Sequence, residues 1–235
     1  MDNLRTNGPF VLAALLLVAS FTVTTGELQA YALLLQLAAL ISACAGVVQR
    51  DALQGALVTA ISCFGFNYYL FQRKIDAASG PSACNIDQVF NCDLINSSPW
   101  STISAGGTDV PITLLGAAFY AGLAAAAFFT TRGKPEEALF HQVNALFALV
   151  SLAYSVFLGW VSSQIGAVCV VCLSIYAGNV LLLWAGLKGL RGTGRSLTEG
   201  PGELVTSKAL IATSLVFFIG VVAGLDQYTT KTALP

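Results

Sequence analysis

Seven runs of apolar residues, most of them close to the roughly 20 that carry a helix across a bilayer, divide this chain. They span Phe10 to Val23, Leu28 to Val48, Ala52 to Phe71, Ile112 to Thr130, Leu139 to Trp160, Val168 to Leu187 and Ala209 to Leu225. Each is built from Leu, Ala, Val and Phe with Gly scattered through it, as helices that pack closely inside a membrane often are. With 56% hydrophobic and only 10% charged residues, the chain lies far outside the composition of a soluble domain. The expected fold class is all-α, a polytopic membrane helical bundle of about seven transmembrane helices. The first run, 14 residues behind Arg5, also has the size of a cleavable secretion signal. Net charge is −1, and no glycine-rich phosphate loop or His-rich motif occurs. No nucleic-acid partner and no metal site are therefore expected.

Lys and Arg accumulate near the cytoplasmic ends of membrane helices. Threading seven spans puts Arg5, Arg50, Arg132, Lys134, Lys188, Arg191, Arg195 and Lys208 on one face, and Arg73, Lys74 and Lys231 on the other. That count predicts a cytoplasmic amino terminus and places the one long polar stretch, residues 72–111, outside the cell. The short link before Val168 falls on the same outer side.

Four of the six cysteines meet there. Cys84 and Cys92 bracket "CNIDQVFNC" in the polar stretch, and Cys169 and Cys172 form "CVVC" at the entry of the sixth span. An extracytoplasmic setting lets disulfides persist. At a helix start, Cys169 lies near unpaired backbone N–H groups and the positive end of the helix dipole, which stabilise a thiolate. Cys169, Cys172, Tyr176 and Asn179 share one helical face, so a phenol and an amide follow the sulfurs into the bilayer. Polar groups at that depth face the bundle interior and can hydrogen-bond the carbonyl of a bound ligand. Taken alone, the cysteines also accommodate two structural disulfides in a transport or scaffold protein. A zinc site is the third reading, although the loop spacing is wide for a zinc knuckle. Cys44 and Cys63, inside predicted spans, read as small hydrophobes.

After Cys92 comes "DLINSSPWSTIS", in which Ser97 or Ser98 can cap a helix and Pro99 suits its first position. A short helix carrying Trp100 and Ile103 is expected to lie in the membrane interface as a lid over the outer end of the bundle.

"CNIDQVFNC", "NSSPW", the "GAAFY" of Gly116 to Tyr120 and "CVVCLSIYAGN" resemble, in order and spacing, the vitamin K epoxide reductases and their bacterial homologues. The resemblance covers residues 52–190 and implies a four-helix quinone-binding core made by the third to sixth spans. Residues 1–51 would then be two extra amino-terminal helices, and residues 191–235 a linker and a last helix. By the family pattern, Cys84 and Cys92 carry reducing equivalents from an external thiol partner to Cys169 and Cys172. Cys92 forms the transient bridge to Cys169, and Cys172 is the sulfur beside the quinone, ubiquinone or menaquinone. Tyr176 matches a residue of the quinone pocket, Ser97, Ser98 and Trp100 match the segment that covers it, and Asn179, Phe119 and Tyr120 are further candidates for its lining. The implied activity is disulfide formation in a thioredoxin-like partner at the outer face of a bacterial plasma membrane, with Cys84 and Cys92 exposed to that partner. Reduction of vitamin K epoxide or quinone as the physiological output is the alternative. Many bacterial members continue into a thioredoxin-like domain, so the partner here is expected as a separate protein or as the rest of a longer fusion.

Overall fold

The computed structural model of the chain describes residues 2–22, 29–76, 80–105, 108–133, 135–197 and 208–232. Their elements are helices α1 (Asp2–Thr22), α2 (Gln29–Arg50), α3 (Ala52–Ile75), α4 (Cys92–Ser97), α5 (Ile112–Phe129), α6 (Pro135–Ile165), α7 (Val170–Thr193) and α8 (Lys208–Thr232). A 3₁₀ turn (Pro99–Ser101) and a two-stranded hairpin, β1 (Thr102–Ala105) and β2 (Thr108–Pro111), lie between α4 and α5. Every expected span overlaps a helix, and the protein is an all-α membrane bundle. Among the described residues, Tyr31–Arg50, Ile112–Phe129, Pro135–Ile165 and Val170–Thr193 are long and apolar enough to cross a membrane, against the seven spans expected. Helix α3, which packs on α2, α5 and α7, falls outside that set. It turns polar groups inward, and Asn67 donates to the Cys63 carbonyl at 2.9 Å.

The other main pairings are α6 on α7, α8 on α5, α1 on α2 and α2 on α7, while α5 and α6 scarcely touch although they are consecutive. Small residues make the close approaches possible, among them Ala56, Ala60, Ala117, Ala145 and Ala185, all buried. Gly178 on α7 lies so near the Cys63 sulfur of α3 that a Cβ there would collide with it. Asp51 alone joins α2 to α3, and its carboxylate caps α3 by accepting from the Gln54 N–H at 2.9 Å. At this end of the bundle Arg132 pairs with Asp51 at 2.8 Å, and Lys188 donates to the Val48 carbonyl at 2.9 Å. Arg50 belongs to the same end, which collects the larger share of the charge count. The four paired cysteines lie at the other end with Arg73 and Lys74.

The lid differs from its expected form. Its helical part is α4, capped by Asn91, whose side chain accepts from the Leu94 N–H at 2.9 Å. Ser98 precedes the 3₁₀ turn without capping it and instead donates back to the Ile95 carbonyl at 2.8 Å. Trp100 occupies the turn, but Ile103 belongs to β1, opposite Val110. Thr102 and Ile103 are β-branched and favour extended backbone, which ends the helix after one turn.

Candidate functional site

The short connection from α6 to α7 passes through Gly166, at φ +75°, a conformation open to glycine without strain. It delivers Val168 alongside the cysteine loop. The Val168 N–H donates to the Val89 carbonyl at 2.7 Å, the Asn91 N–H donates to the Val168 carbonyl at 3.0 Å, and Phe90 and Val168 form an isolated parallel bridge. Cys92 follows two residues after Phe90, and Cys169 one residue after Val168. Both belong, with Cys84, to the buried apolar cluster of the bundle.

Two disulfides are present, Cys84–Cys92 with Cα atoms 5.8 Å apart and Cys169–Cys172 with Cα atoms 5.1 Å apart. Cys169 is the N-cap of α7, and its sulfur accepts the Cys172 N–H at 3.1 Å. This places it at the positive end of the helix dipole, as the sequence suggested. The expectation that Cys84 and Cys92 are exposed is overturned, since each is only 1% accessible. Ile86, Phe90 and Ile95 pack against the cluster that encloses them, so the polar stretch has an apolar interior of its own.

Tethers close that loop. The Asp93 carboxylate accepts from the Ser82 N–H at 2.8 Å and from the Asn85 side chain at 2.7 Å, while the Asn85 oxygen accepts the Asp93 N–H at 3.2 Å. Arg73, at the end of α3, lies 3.9 Å from Asp93 and donates to the Gly80 carbonyl. Partial burial pushes the Asp93 carboxyl up, but the hydrogen bonds from Ser82 and Asn85 and the Arg73 charge outweigh it and hold the group below the usual carboxylate range. Lys74, the next residue, donates to the Asn96 carbonyl at 2.8 Å and to the Ser101 hydroxyl, and Asn96 donates to the Leu70 carbonyl at 2.8 Å. Adjacent basic residues of α3 thus hold the loop and the lid respectively.

Beneath the lid is a mostly apolar cavity of about 60 Å³. Of the residues singled out from sequence, Cys172, Tyr176, Ser98 and Trp100 line it. Trp100 packs edge-on against Phe157 of α6, ring centroids 5.9 Å apart. Ser97 faces instead a polar hollow of about 460 Å³ outside the lid, shared with Arg73, Lys74, Asn85, Asp93 and Tyr228. Asn179, Tyr120 and Phe119 do not line the cavity. Asn179 is engaged at both ends, accepting from the Tyr120 hydroxyl at 2.6 Å and donating to the Ser155 hydroxyl at 3.0 Å. Phe119 packs on Phe147 and Tyr120. The face shared by Cys169, Cys172, Tyr176 and Asn179 therefore divides between a cavity and a buried polar contact. Ile112 and Thr113, which stand where animal members of the resembled family carry an Asn, also line the cavity. Sequence reasoning missed Asn96, in the same wall, and the tie from Lys74 to the lid, because a loop amide and a membrane-flanking cation look ordinary in sequence.

A mostly apolar cavity whose wall also holds the Cys172 sulfur, the Tyr176 phenol and a few hydroxyl and amide side chains suits a flat, weakly polar ring with few hydrogen-bonding atoms. Ligand cavities run from roughly 300 Å³ upward, so loading this one requires the lid to shift. A model of the vitamin K epoxide reductase family matches residues 52–187, more than half of the chain, from the first residue of α3 into α7. No curated protein gives a significant match.

Proposed function

The chain belongs to the vitamin K epoxide reductase family and is thus a membrane oxidoreductase with paired cysteines, and we propose that it oxidises a thioredoxin-like dithiol protein and passes the electron pair to a membrane quinone. The observation that carries this reading is the Phe90–Val168 bridge, which seats Cys92 beside the start of α7 while Cys172 lines the lidded cavity.

The exchange chemistry follows from where each sulfur sits. A partner thiolate attacks Cys84, breaking Cys84–Cys92 and releasing Cys92 as thiolate. The partner's second thiol then displaces Cys84, so the partner leaves as a disulfide and the loop is reduced by two electrons. Cys92 attacks Cys169, releasing Cys172 into the cavity wall, and Cys84 resolves the Cys92–Cys169 bridge. Cys169 is the leaving group in that last exchange, and the Cys172 N–H and the start of α7 stabilise its charge. The quinone, as terminal substrate, accepts two electrons and two protons and departs as quinol, and Cys169–Cys172 is restored. Because Cys84 is buried, the first attack requires the loop to open at its Arg73 and Asp93 tethers.

The charge distribution supports placing the cysteine end outside the cytoplasm, and the likeness to bacterial homologues suggests a bacterial plasma membrane. Residues 52–190 form the catalytic core in this reading, with α1 and α2 before it and α8 after it. Gln88 is exposed on the loop, so Gln88→Cys should react with a membrane-impermeant maleimide in intact cells. Reaction only after the membrane is opened reverses the orientation.

Electron entry is tested by the size of the reductant. Dithiothreitol can diffuse to Cys169–Cys172, whereas a folded protein must dock outside and use the loop. Cys84→Ala should abolish quinone reduction driven by a thioredoxin-like protein and keep much of that driven by dithiothreitol. Equal loss of both activities makes the loop a structural clamp.

A further inference from the structure

Ser82 stands two residues before Cys84 and is buried with it. Its Oγ lies 3.3 Å from the Cys84 sulfur, and the same hydroxyl donates to the Asn85 Oδ1 at 3.1 Å. The backbone on either side is fixed. The Ser82 N–H donates to the Asp93 carboxylate at 2.8 Å, and the Ser82 carbonyl accepts the Asn85 N–H at 3.1 Å. A serine hydroxyl has one hydrogen to give. While Cys84 is in a disulfide its sulfur is a weak acceptor and the Asn85 oxygen holds that hydrogen, whereas a thiolate at Cys84 is the stronger acceptor of the two. Asn85 loses little when the hydroxyl turns away, because its oxygen also accepts the Asp93 N–H at 3.2 Å. The charged groups at this point of the loop, Asp93 and Arg73, lie 3.9 Å apart and offset each other. A thiolate in the apolar cluster that Cys84 shares with Ile86, Phe90 and Ile95 is penalised by burial unless a donor reaches it.

We propose that the Ser82 hydroxyl donates to the Cys84 thiolate and is the catalytic group that keeps Cys84 ready to resolve the Cys92–Cys169 bridge. This rests on the proposed function and adds a residue to its exchange sequence. Cys84 becomes a thiolate when it leaves the oxidised partner, and the loop then closes around it. In the closed loop its sulfur attacks the Cys92 sulfur. The Cys84–Cys92 bond forms, the Cys92–Cys169 bond breaks, and the electron pair departs on Cys169. As Cys84 loses its charge the hydroxyl hydrogen returns to Asn85, so Ser82 neither gains nor loses a proton. One hydrogen bond to a charged sulfur keeps about 10- to 100-fold more of the thiol ionised. The same bond lowers the nucleophilicity of each thiolate by about the square root of that factor, which leaves a net gain of about 3- to 10-fold at neutral pH.

The test uses the full chain in detergent or nanodiscs, reduced with dithiothreitol, freed of it, and re-oxidised by excess ubiquinone-1 at a series of pH values. Acid quenching, alkylation and peptide mass spectrometry follow the Cys92–Cys169 disulfide and the return of Cys84–Cys92. In Ser82→Ala, resolution of the bridge at pH 7 should slow by about 3- to 10-fold, so the bridge builds to a higher level. The difference should shrink as pH rises and vanish near about pH 10, where Cys84 ionises without help. A residue that only shapes the turn gives a defect that pH does not move. If Ser82→Ala unsettles the loop, Ser82→Thr against Ser82→Val compares two side chains of one shape, with and without the hydroxyl. Resolution at the parent rate without the hydroxyl, or a slowing that stays constant from pH 7 to about pH 10, overturns the assignment and leaves the proposed function standing. A parent protein in which neither ubiquinone-1 nor a naphthoquinone re-oxidises Cys84 and Cys92 overturns both.

Discussion

Phe90 and Val168, 78 positions apart in the chain, form a parallel β-bridge flanked by hydrogen bonds of 2.7 Å from Val168 to Val89 and 3.0 Å from Asn91 to Val168. The bridge is the nearest backbone connection between the two disulfides. It aligns the residue before Cys169 with the residues leading to Cys92, so the loop pair and the helix pair approach each other in a defined register. A loop tethered only at its ends would have to search for that alignment at each turnover.

Val168→Pro deletes the 2.7 Å bond to Val89 and leaves every cysteine in place. The net loss of one such bond is on the order of 0.5–1.5 kcal/mol. Re-oxidation of reduced Cys84 and Cys92 by quinone should slow several-fold, followed by quenched alkylation and gel shift, while dithiothreitol-driven quinone reduction stays within about a factor of two. Loss of the second activity as well would show that the change damaged α7 itself.

Cys84→Ser removes the thiol that resolves the Cys92–Cys169 bridge, so Cys92 can still attack the Cys169–Cys172 disulfide but the bridge it forms has no forward exit. A Cys92–Cys169 disulfide should accumulate in this variant and be recovered by peptide mass spectrometry. Recovery of Cys169–Cys172 alone, with Cys92 free, counts against the proposed order of exchange.

The two tyrosines give opposite expectations. Tyr176 lines the cavity, and Tyr176→Phe should raise the quinone KM by about 2- to 12-fold, the equivalent of one neutral hydrogen bond. The Tyr120 hydroxyl is spent on Asn179. Tyr120→Phe should leave the KM unchanged and lower stability by about 0.6 kcal/mol, a typical value for an interhelical bond in a membrane bundle. The reverse pattern, read from the same quinone titration and a thermal melt, would place the ring deeper, near Asn179.

Acid should loosen the loop through Asp93. Its carboxyl is held below the usual range in the folded protein, so its stabilising effect is fully present above the unfolded value near 3.8 and is lost as pH falls through the lower folded value. The loop should stay shut at neutral pH and open only below about pH 4. Reduction of Cys84–Cys92 by a phosphine, which works in acid, should accelerate in that range. Asp93→Asn should be fast already at pH 7 and lack the acid step. A parent protein without the acceleration would assign closure to the apolar packing of Phe90 and Ile95.

The helices, their order and the end at which the paired cysteines gather were legible in the sequence, because apolar run length and charge placement are local properties that a bilayer reads directly. Cys169 at the start of α7 followed from the same logic, since a helix terminus is defined by its immediate neighbours. Three matters needed the tertiary structure. The Phe90–Val168 bridge joins backbone to backbone, so no side-chain pattern announces it. Burial of Cys84 and Cys92 depends on Ile86, Phe90 and Ile95 folding inward together, whereas in sequence the segment reads simply as polar. The face holding Cys172, Tyr176 and Asn179 was visible from helical spacing, but whether each polar group meets a cavity or a neighbour is set by the opposing helix. Tyr120 stands opposite Asn179 and satisfies it. Among the described residues no group pairs with the Thr113 hydroxyl, which lines the same cavity as Tyr176. Periodicity specifies the face a residue presents, and only packing supplies what that face meets.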